Sequence, residues 1–576
     1  MPIFRFRSLT ALVLAAMVTG LPASAQTQTQ FQAQTDGDAG AYLASRVAGN
    51  SSDYRAAAQW YARALLADPR NPVLLEGLIL SQVSLGEFAG AADAARQLVE
   101  TGQSSPAASI ALLVADAEAQ DFPAILDAGA RRSVGALLDG LVAAWAEVGT
   151  GKMSEALARF DEIAASPGLE AFGLYHKALA LASVGDMESA DEIMSGRAAG
   201  PLVMMRRGVI AHIQILSQLE RPADALALVD QAFGAEPDPR SDALRARLTA
   251  GGPLPFDMVT GSAQGIGEVF FTLATALNGE ADDSYTLLYS RVAAHLNPGN
   301  TDARLLSAGL LEQQRQPELA GEVYAQIAPD APDFHIAEIG RADTLMALDR
   351  QDEAIAVLET LTQSHGGLIV VQTALGDALR RMERYDEAIV AYDAAVSLLP
   401  ALTERHWSLF FARGNSNERA GNWDAAEADL RQALALNPDQ PQVLNYLGYS
   451  FVDKGENLEE ALGMIERAVA ARPDAGYIID SLAWAFYRLG RYDEALAPME
   501  RASVLEPVDP VVTDHLGDVY WAVGRRLEAQ FQWRRALSFE PKETDAIRIR
   551  RKLEVGLDAV LAEEGAPPLD AVANGN

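Results

Sequence analysis

The chain contains no cysteine in 576 residues. That absence removes thiol nucleophiles, thiolate zinc sites and cysteine-held iron–sulfur clusters together. Histidine is sparse. His176, His212, His295, His335, His365, His406 and His515 are scattered, and none forms a metal-ligand pattern such as HExxH. Cationic charge is also short: 46 Lys and Arg face 79 Asp and Glu, a formal net charge of −33. Such a surface repels nucleic acid and anionic lipid and favours a basic partner. After residue 25 no apolar run reaches the ~20 residues that cross a bilayer. The glycine cluster GSAQGIG at 261–267 lacks the Lys-Ser/Thr of a phosphate loop, and no strand pattern precedes it. Acidic pairs such as Asp282-Asp283 and Glu459-Glu460 fit helix starts. No catalytic residue, metal ligand or cofactor is expected.

What is present begins with a targeting pattern. Arg5 and Arg7 precede an apolar core, Leu9 to Val18, and the cleavage pattern Ala23-Ser24-Ala25. This is the layout of a secretory signal peptide over 1–25, and an A-x-A site fits bacterial export to the periplasm. No cysteine follows the cleavage point, so no lipoprotein anchor is expected. Residues 26–37 are polar and read as a disordered leader.

Beyond the leader a period dominates. DSLAWAFYRLGRYDEALAPMERASVLEP and DHLGDVYWAVGRRLEAQFQWRRALSFEP align at an offset of 34 residues. Leu482 falls on Leu516, Ala483 on Gly517, Gly490 on Gly524, Ala495 on Ala529, Met499 on Trp533 and Pro507 on Pro541. Small residues let two helices approach while the large ones fill the space between. Gly524 suits a turn at positive φ, and Pro541 ends the second helix. About fourteen such helix pairs account for nearly all the remaining chain. They are expected as an N-terminal solenoid over 38–239 and a C-terminal one over 267–543. Residues 240–266, which include GGPLPFDMVTGSAQG, read as a connection between the two. Residues 544–576 read as a capping helix, running over about 542–564, and a tail. Strands are not expected.

The period, with its large–small pair, aromatic, glycine, two alanines and closing proline, resembles the tetratricopeptide repeat family. The resemblance implies an all-α, right-handed superhelical solenoid whose first helices line a concave groove. It also implies that unit positions 2, 5, 9, 12 and 13 face that groove. On that register the groove residues are Phe411, Asn415 and Arg419, then Asn445, Tyr449 and Asp453. Tyr477, Asp480, Trp484, Tyr487 and Arg488 follow, and then Asp514, Asp518 and Trp521. Removing Trp484 and Trp521 together is expected to weaken partner binding and leave melting nearly unchanged.

The block over about 441–543 further resembles a group of Gram-negative envelope repeat proteins. That group includes lipoprotein adaptors of a periplasmic carboxyl-terminal processing protease. The implied function is a non-enzymatic periplasmic scaffold that binds protein or peptide partners in the groove, with delivery of substrates to a protease as its most specific form. The alternative is a structural component of an envelope assembly or polymer-export complex.

Overall fold

The computed structural model describes residues 39–234 and 238–569. The expected signal peptide, the whole of the leader and the end of the tail lie outside them. Among the described residues every regular element is helical, and no strand is present. The all-α repeat fold expected from the period is the fold observed. The chain divides into two compact units, residues 1–368 and 369–576.

The second unit is the more regular. Ile369–Arg381 packs on Tyr385–Ser397, Trp407–Arg419 on Trp423–Leu436, and Pro441–Lys454 on Leu458–Ala471. Gly476–Arg488 packs on Tyr492–Leu505, and Pro510–Ala522 on Arg526–Leu537. The eighth residue of each first helix is small because a large side chain of the second helix lies against it. A Cβ added at Gly376 would stand 2.6 Å from Tyr392, one at Gly448 2.7 Å from Ile465, and one at Gly517 2.3 Å from Trp533. Within each pair the chain turns through a left-handed residue: Gly421 at φ 84°, Gly490 at 73° and Gly524 at 83°. Glu383 takes the same conformation at φ 59° without the freedom of glycine.

The cap departs from its expected form. Instead of one helix over 542–564 there are two, Glu543–Val555 and Leu557–Glu563. They are broken at Gly556, which adopts φ 84° with the Trp521 ring so close that a Cβ would stand 2.7 Å from it.

The first unit starts as the same kind of stack. Its first helices include Pro72–Leu85, Pro106–Glu118, Ala136–Gly149 and Glu170–Ser183. The chain then returns on itself. Helix Ser262–Leu277 packs against Ala136–Gly149, Glu170–Ser183 and Pro106–Glu118, and Asp283–Leu296 packs against Pro72–Leu85 and Pro106–Glu118. Every one of these contacts is to a first helix, so the returning pair covers the face that first helices would otherwise present.

The expected connection at 240–266 is corrected by this arrangement. Asp238 caps a helix, Pro239–Thr249, accepting from the Arg240 amide at 3.0 Å, with Pro239 at the first helical position. Helix Ser262–Leu277 contains most of the glycine cluster. Gly265 and Gly267 serve close packing there: a Cβ at Gly265 would stand 2.2 Å from Trp145, and one at Gly267 3.1 Å from Leu296. Only the short link between these helices is irregular. It is strapped inward by Leu254, Met258 and Val259, all buried, and by Ser217 Oγ, which accepts from the Leu254 amide at 2.8 Å. The segment thus lies inside the first compact unit, and the division between units falls after Leu368.

Candidate functional site

Positions 5 and 9 of a first helix lie one turn apart on the same face. In the first unit these positions are Leu141 and Trp145 in one pair and Tyr175 and Leu179 in the next, all buried. In the second unit they are Phe411 and Asn415, then Asn445 and Tyr449, all only partly buried. The same geometric face is therefore lined differently in these two stretches.

In the first unit a buried polar knot locks the returning helix in place. Glu268, fully enclosed, accepts from the Tyr175 hydroxyl at 2.9 Å and from Arg207 Nε and Nη2 at 3.1 and 2.8 Å. Farther along, Arg291 Nε donates to the Ser84 carbonyl at 2.8 Å, and His295 stacks on Phe88 at 4.1 Å. Burial pushes the Arg207 guanidinium down, but the Glu268 carboxylate more than offsets this and holds it above its ordinary value.

In the second unit the face over 407–454 stays uncovered among the described residues. The Phe411 ring meets Tyr446 edge-on at 5.6 Å, and the Tyr446 hydroxyl donates to Glu418 at 3.0 Å. Asn445 Oδ1 is enclosed but has no hydrogen-bond partner. Asn415 and the Tyr449 hydroxyl also make no hydrogen bond within the described residues. Burial raises the Tyr449 hydroxyl pKa, with Asp480 and Asp453 adding to the effect, so it stays a neutral donor. Arg488 reaches back to the Asp453 carbonyl at 3.1 Å. Arg419 and Asp453 are exposed, and Tyr477 is exposed at the start of its helix.

Toward the C-terminus the expected groove residues turn inward. Asp480, Tyr487 and Asp518 are buried. Asp480 lies 3.0 Å from His515 Nδ1, and the Trp484 ring stacks on His515 at 3.9 Å and on Tyr487 at 4.6 Å. Burial lowers the His515 pKa, yet the Asp480 carboxylate outweighs it and the net shift is upward. Lys552 of the cap, itself fully enclosed, donates to Asp514 at 2.6 Å and to Asp518 at 2.7 Å. Burial and the neighbouring Asp518 raise the Asp514 pKa against the pull of Lys552. Trp521 donates from Nε1 to Asp558 at 3.1 Å and packs on Trp533. These residues fasten one repeat to the next and hold the cap. Phe411, Asn415, Asn445 and Tyr449, by contrast, stay only partly buried.

His515 and Lys552 were not among the expected site residues. A signal for them was present: Lys552 stands 34 residues after Asp518, one repeat on, and His515 stands 35 after Asp480. Charges of opposite sign at one repeat spacing mark contacts between adjacent first helices.

The family profile "Tetratricopeptide repeat" matches residues 373–441, 411–476 and 447–510. A TPR repeat-containing protein of Pseudomonas aeruginosa is 30% identical over 201 residues, which is 34% of this chain and 32% of that protein. The human protein O-mannosyl-transferase TMTC1 is 27% identical over 166 residues, 29% of this chain and 19% of its own length. The lipoprotein NlpI homolog of Haemophilus influenzae is 32% identical over 143 residues, 24% of this chain and 45% of its own. The chain thus spans less than half the length of each of these relatives.

Proposed function

Since the chain is a tetratricopeptide repeat protein, we propose that it acts as a non-enzymatic scaffold that holds a protein partner on the first-helix face centred on 407–454. The observation that carries this reading is the set of unpartnered neutral groups there. Asn445 Oδ1, Asn415 and the Tyr449 hydroxyl await hydrogen bonds beside the Phe411–Tyr446 aromatic pair. An extended peptide supplies backbone donors and acceptors for the amides and side chains for the aromatic surface. The mechanism is placement: two partners held on one chain meet at a raised local concentration.

We further place this scaffold in the periplasm, on the signal-peptide pattern of residues 1–25. Among described residues no helix is long and apolar enough to cross a membrane. Delivery of substrates to a processing protease is the most specific version. It is supported by the resemblance over 441–543.

The test is capture from the native envelope extract with the wild-type chain and with a variant carrying Asn415→Ala, Asn445→Ala and Tyr449→Phe. The wild type should retain a stoichiometric partner that the variant loses at least about tenfold, with helicity unchanged. A processing protease among the captured proteins supports the adaptor reading; a stoichiometric envelope assembly supports the structural alternative. Equal retention by both chains refutes this face as the binding surface.

A further inference from the structure

The last helix pair breaks the surface pattern of the pairs before it. On helix Arg526–Leu537, the residues Ala529, Trp533 and Ala536 are buried, and the opposite stripe carries Leu527, Phe531 and Arg534. Leu527 is 64% exposed and Phe531 58% exposed. At the position of Leu527 the four preceding pairs carry an acid in every case: Asp386, Asp424, Glu459 and Asp493. At the position of Phe531 the pair immediately before has Ala497, and at that of Arg534 it has Glu500. The end of a solenoid is where a polar outer face is most expected. Here a stripe that is acidic or small in the preceding pairs, apart from Val390 and Arg431, has become apolar and cationic throughout.

Charge departs in the same place. On helix Arg526–Leu537 itself, Arg526, Arg534 and Arg535 stand against Glu528 alone, in a chain whose net charge is −33. Arg534 lies 6.0 Å from the Phe531 ring and makes no ion pair among the described residues. Arg526 is 67% exposed at its side chain and approaches Asp558 only at 3.7 Å. Two large apolar side chains four residues apart, flanked by incompletely neutralised guanidiniums, form a surface with a definite complement.

We infer that this outer stripe docks an acidic amphipathic helix of a protein partner, with apolar residues one turn apart seated on Leu527 and Phe531 and carboxylates beside Arg526 and Arg534. The surface is independent of the first-helix face, so it stands or falls without that reading. The charge of the whole chain decides the kind of partner. An anionic membrane is a wide sheet and meets the repulsion of the −33 surface along with the patch. A single acidic helix is small enough to contact the cationic end alone, and repulsion elsewhere steers it there.

The experiment uses the full chain and a fluorescein-labelled synthetic helical peptide with Leu at one-turn spacing and Glu elsewhere, read by fluorescence anisotropy. The competitor is the same peptide with Lys for Glu. The principal variant combines Leu527→Asp, Phe531→Ala and Arg534→Glu, which copies the residues of the preceding pair. Phe531→Ala alone is the milder second variant. The acidic peptide should bind the wild type in a salt-sensitive manner. It should lose at least about tenfold in affinity for the triple variant and about threefold for Phe531→Ala. The basic peptide should bind at least about tenfold more weakly. Equal affinity for wild type and either variant, or for both peptides, overturns the proposal. So does cosedimentation of the wild type with phosphatidylserine-containing vesicles in the absence of peptide binding, which would make the stripe a membrane contact.

Discussion

Two stretches of the same repeat present the same face to different fates. In the first unit, positions 5 and 9 of successive first helices are Leu141, Trp145, Tyr175 and Leu179, and helix Ser262–Leu277 lies on them. In the second unit the corresponding residues are Phe411, Asn415, Asn445 and Tyr449, with no helix laid over them among the described residues. The repeat builds a face; the chemistry at two positions per helix differs between the stretch where that face is covered and the stretch where it is only partly buried. Apolar residues there call for burial, which the chain supplies itself. Amides and a hydroxyl without partners leave hydrogen-bonding capacity for another molecule.

The comparison can be broken most forcefully at Glu268. Replacing it with Ala strands the buried Arg207 guanidinium and the Tyr175 hydroxyl, and should destabilise the chain by about 3–5 kcal/mol in urea unfolding. A loss under 1 kcal/mol would mean that the returning helix is held by apolar packing alone. In the second unit, Lys552→Ala strands Asp514 and Asp518, although Arg548 stays 3.5 Å from Asp518. A loss of about 3 kcal/mol is expected, with the cap helices exchanging their amide hydrogens faster. Trp484→Ala should cost roughly 1–3 kcal/mol, because its stacking on His515 and Tyr487 makes it a packing residue. Unchanged melting in this variant would restore it to the partner surface.

The two units should also respond oppositely to pH. Burial depresses the His176 pKa to about 3 from 6.5. The unfolded chain therefore takes up a proton that the folded chain refuses, and stability falls as pH drops below 6.5 toward 3. The folded pKa of His515 is raised, so its pairing with Asp480 contributes fully below 6.5 and is lost as pH rises through that higher value. Urea unfolding of His176→Asn and His515→Asn against wild type, across this range, should give differences of opposite slope. The smallest effect is at a turn: Glu383→Gly should add about 0.5–1 kcal/mol by relieving its positive φ.

Much of the fold was legible because local chemistry repeats. The glycines at the left-handed turns 421, 490 and 524 and the small residue opposite Tyr392 or Trp533 can be read from the period alone. The glycine cluster at 261–267 misled because glycine also serves close helix packing, and its neighbour Trp145 is far away in sequence. The filled face was hidden for the same reason. The contacts that fill it join residues 93 and 207 apart, Tyr175 to Glu268 and Arg291 to Ser84, and no local pattern announces them. A trace of it was nevertheless readable: Leu141, Trp145 and Leu179 are apolar at positions where an exposed face needs polar groups. Within the expected groove, the register could not distinguish Asn445, whose Oδ1 has no hydrogen-bond partner among the described residues, from Asp518, consumed by Lys552 of the next helix.

The most direct test exploits the missing cysteine, since any introduced thiol is the sole reporter in the chain. Asn415→Cys and Leu179→Cys would be made separately and their reaction with a maleimide followed, with and without the partner recovered from the envelope extract. The account predicts that the thiol at 415 reacts readily and is shielded by the partner, while the thiol at 179 reacts only on unfolding. Shielding at neither position, or a readily reacting thiol at 179 that the partner protects, would contradict it.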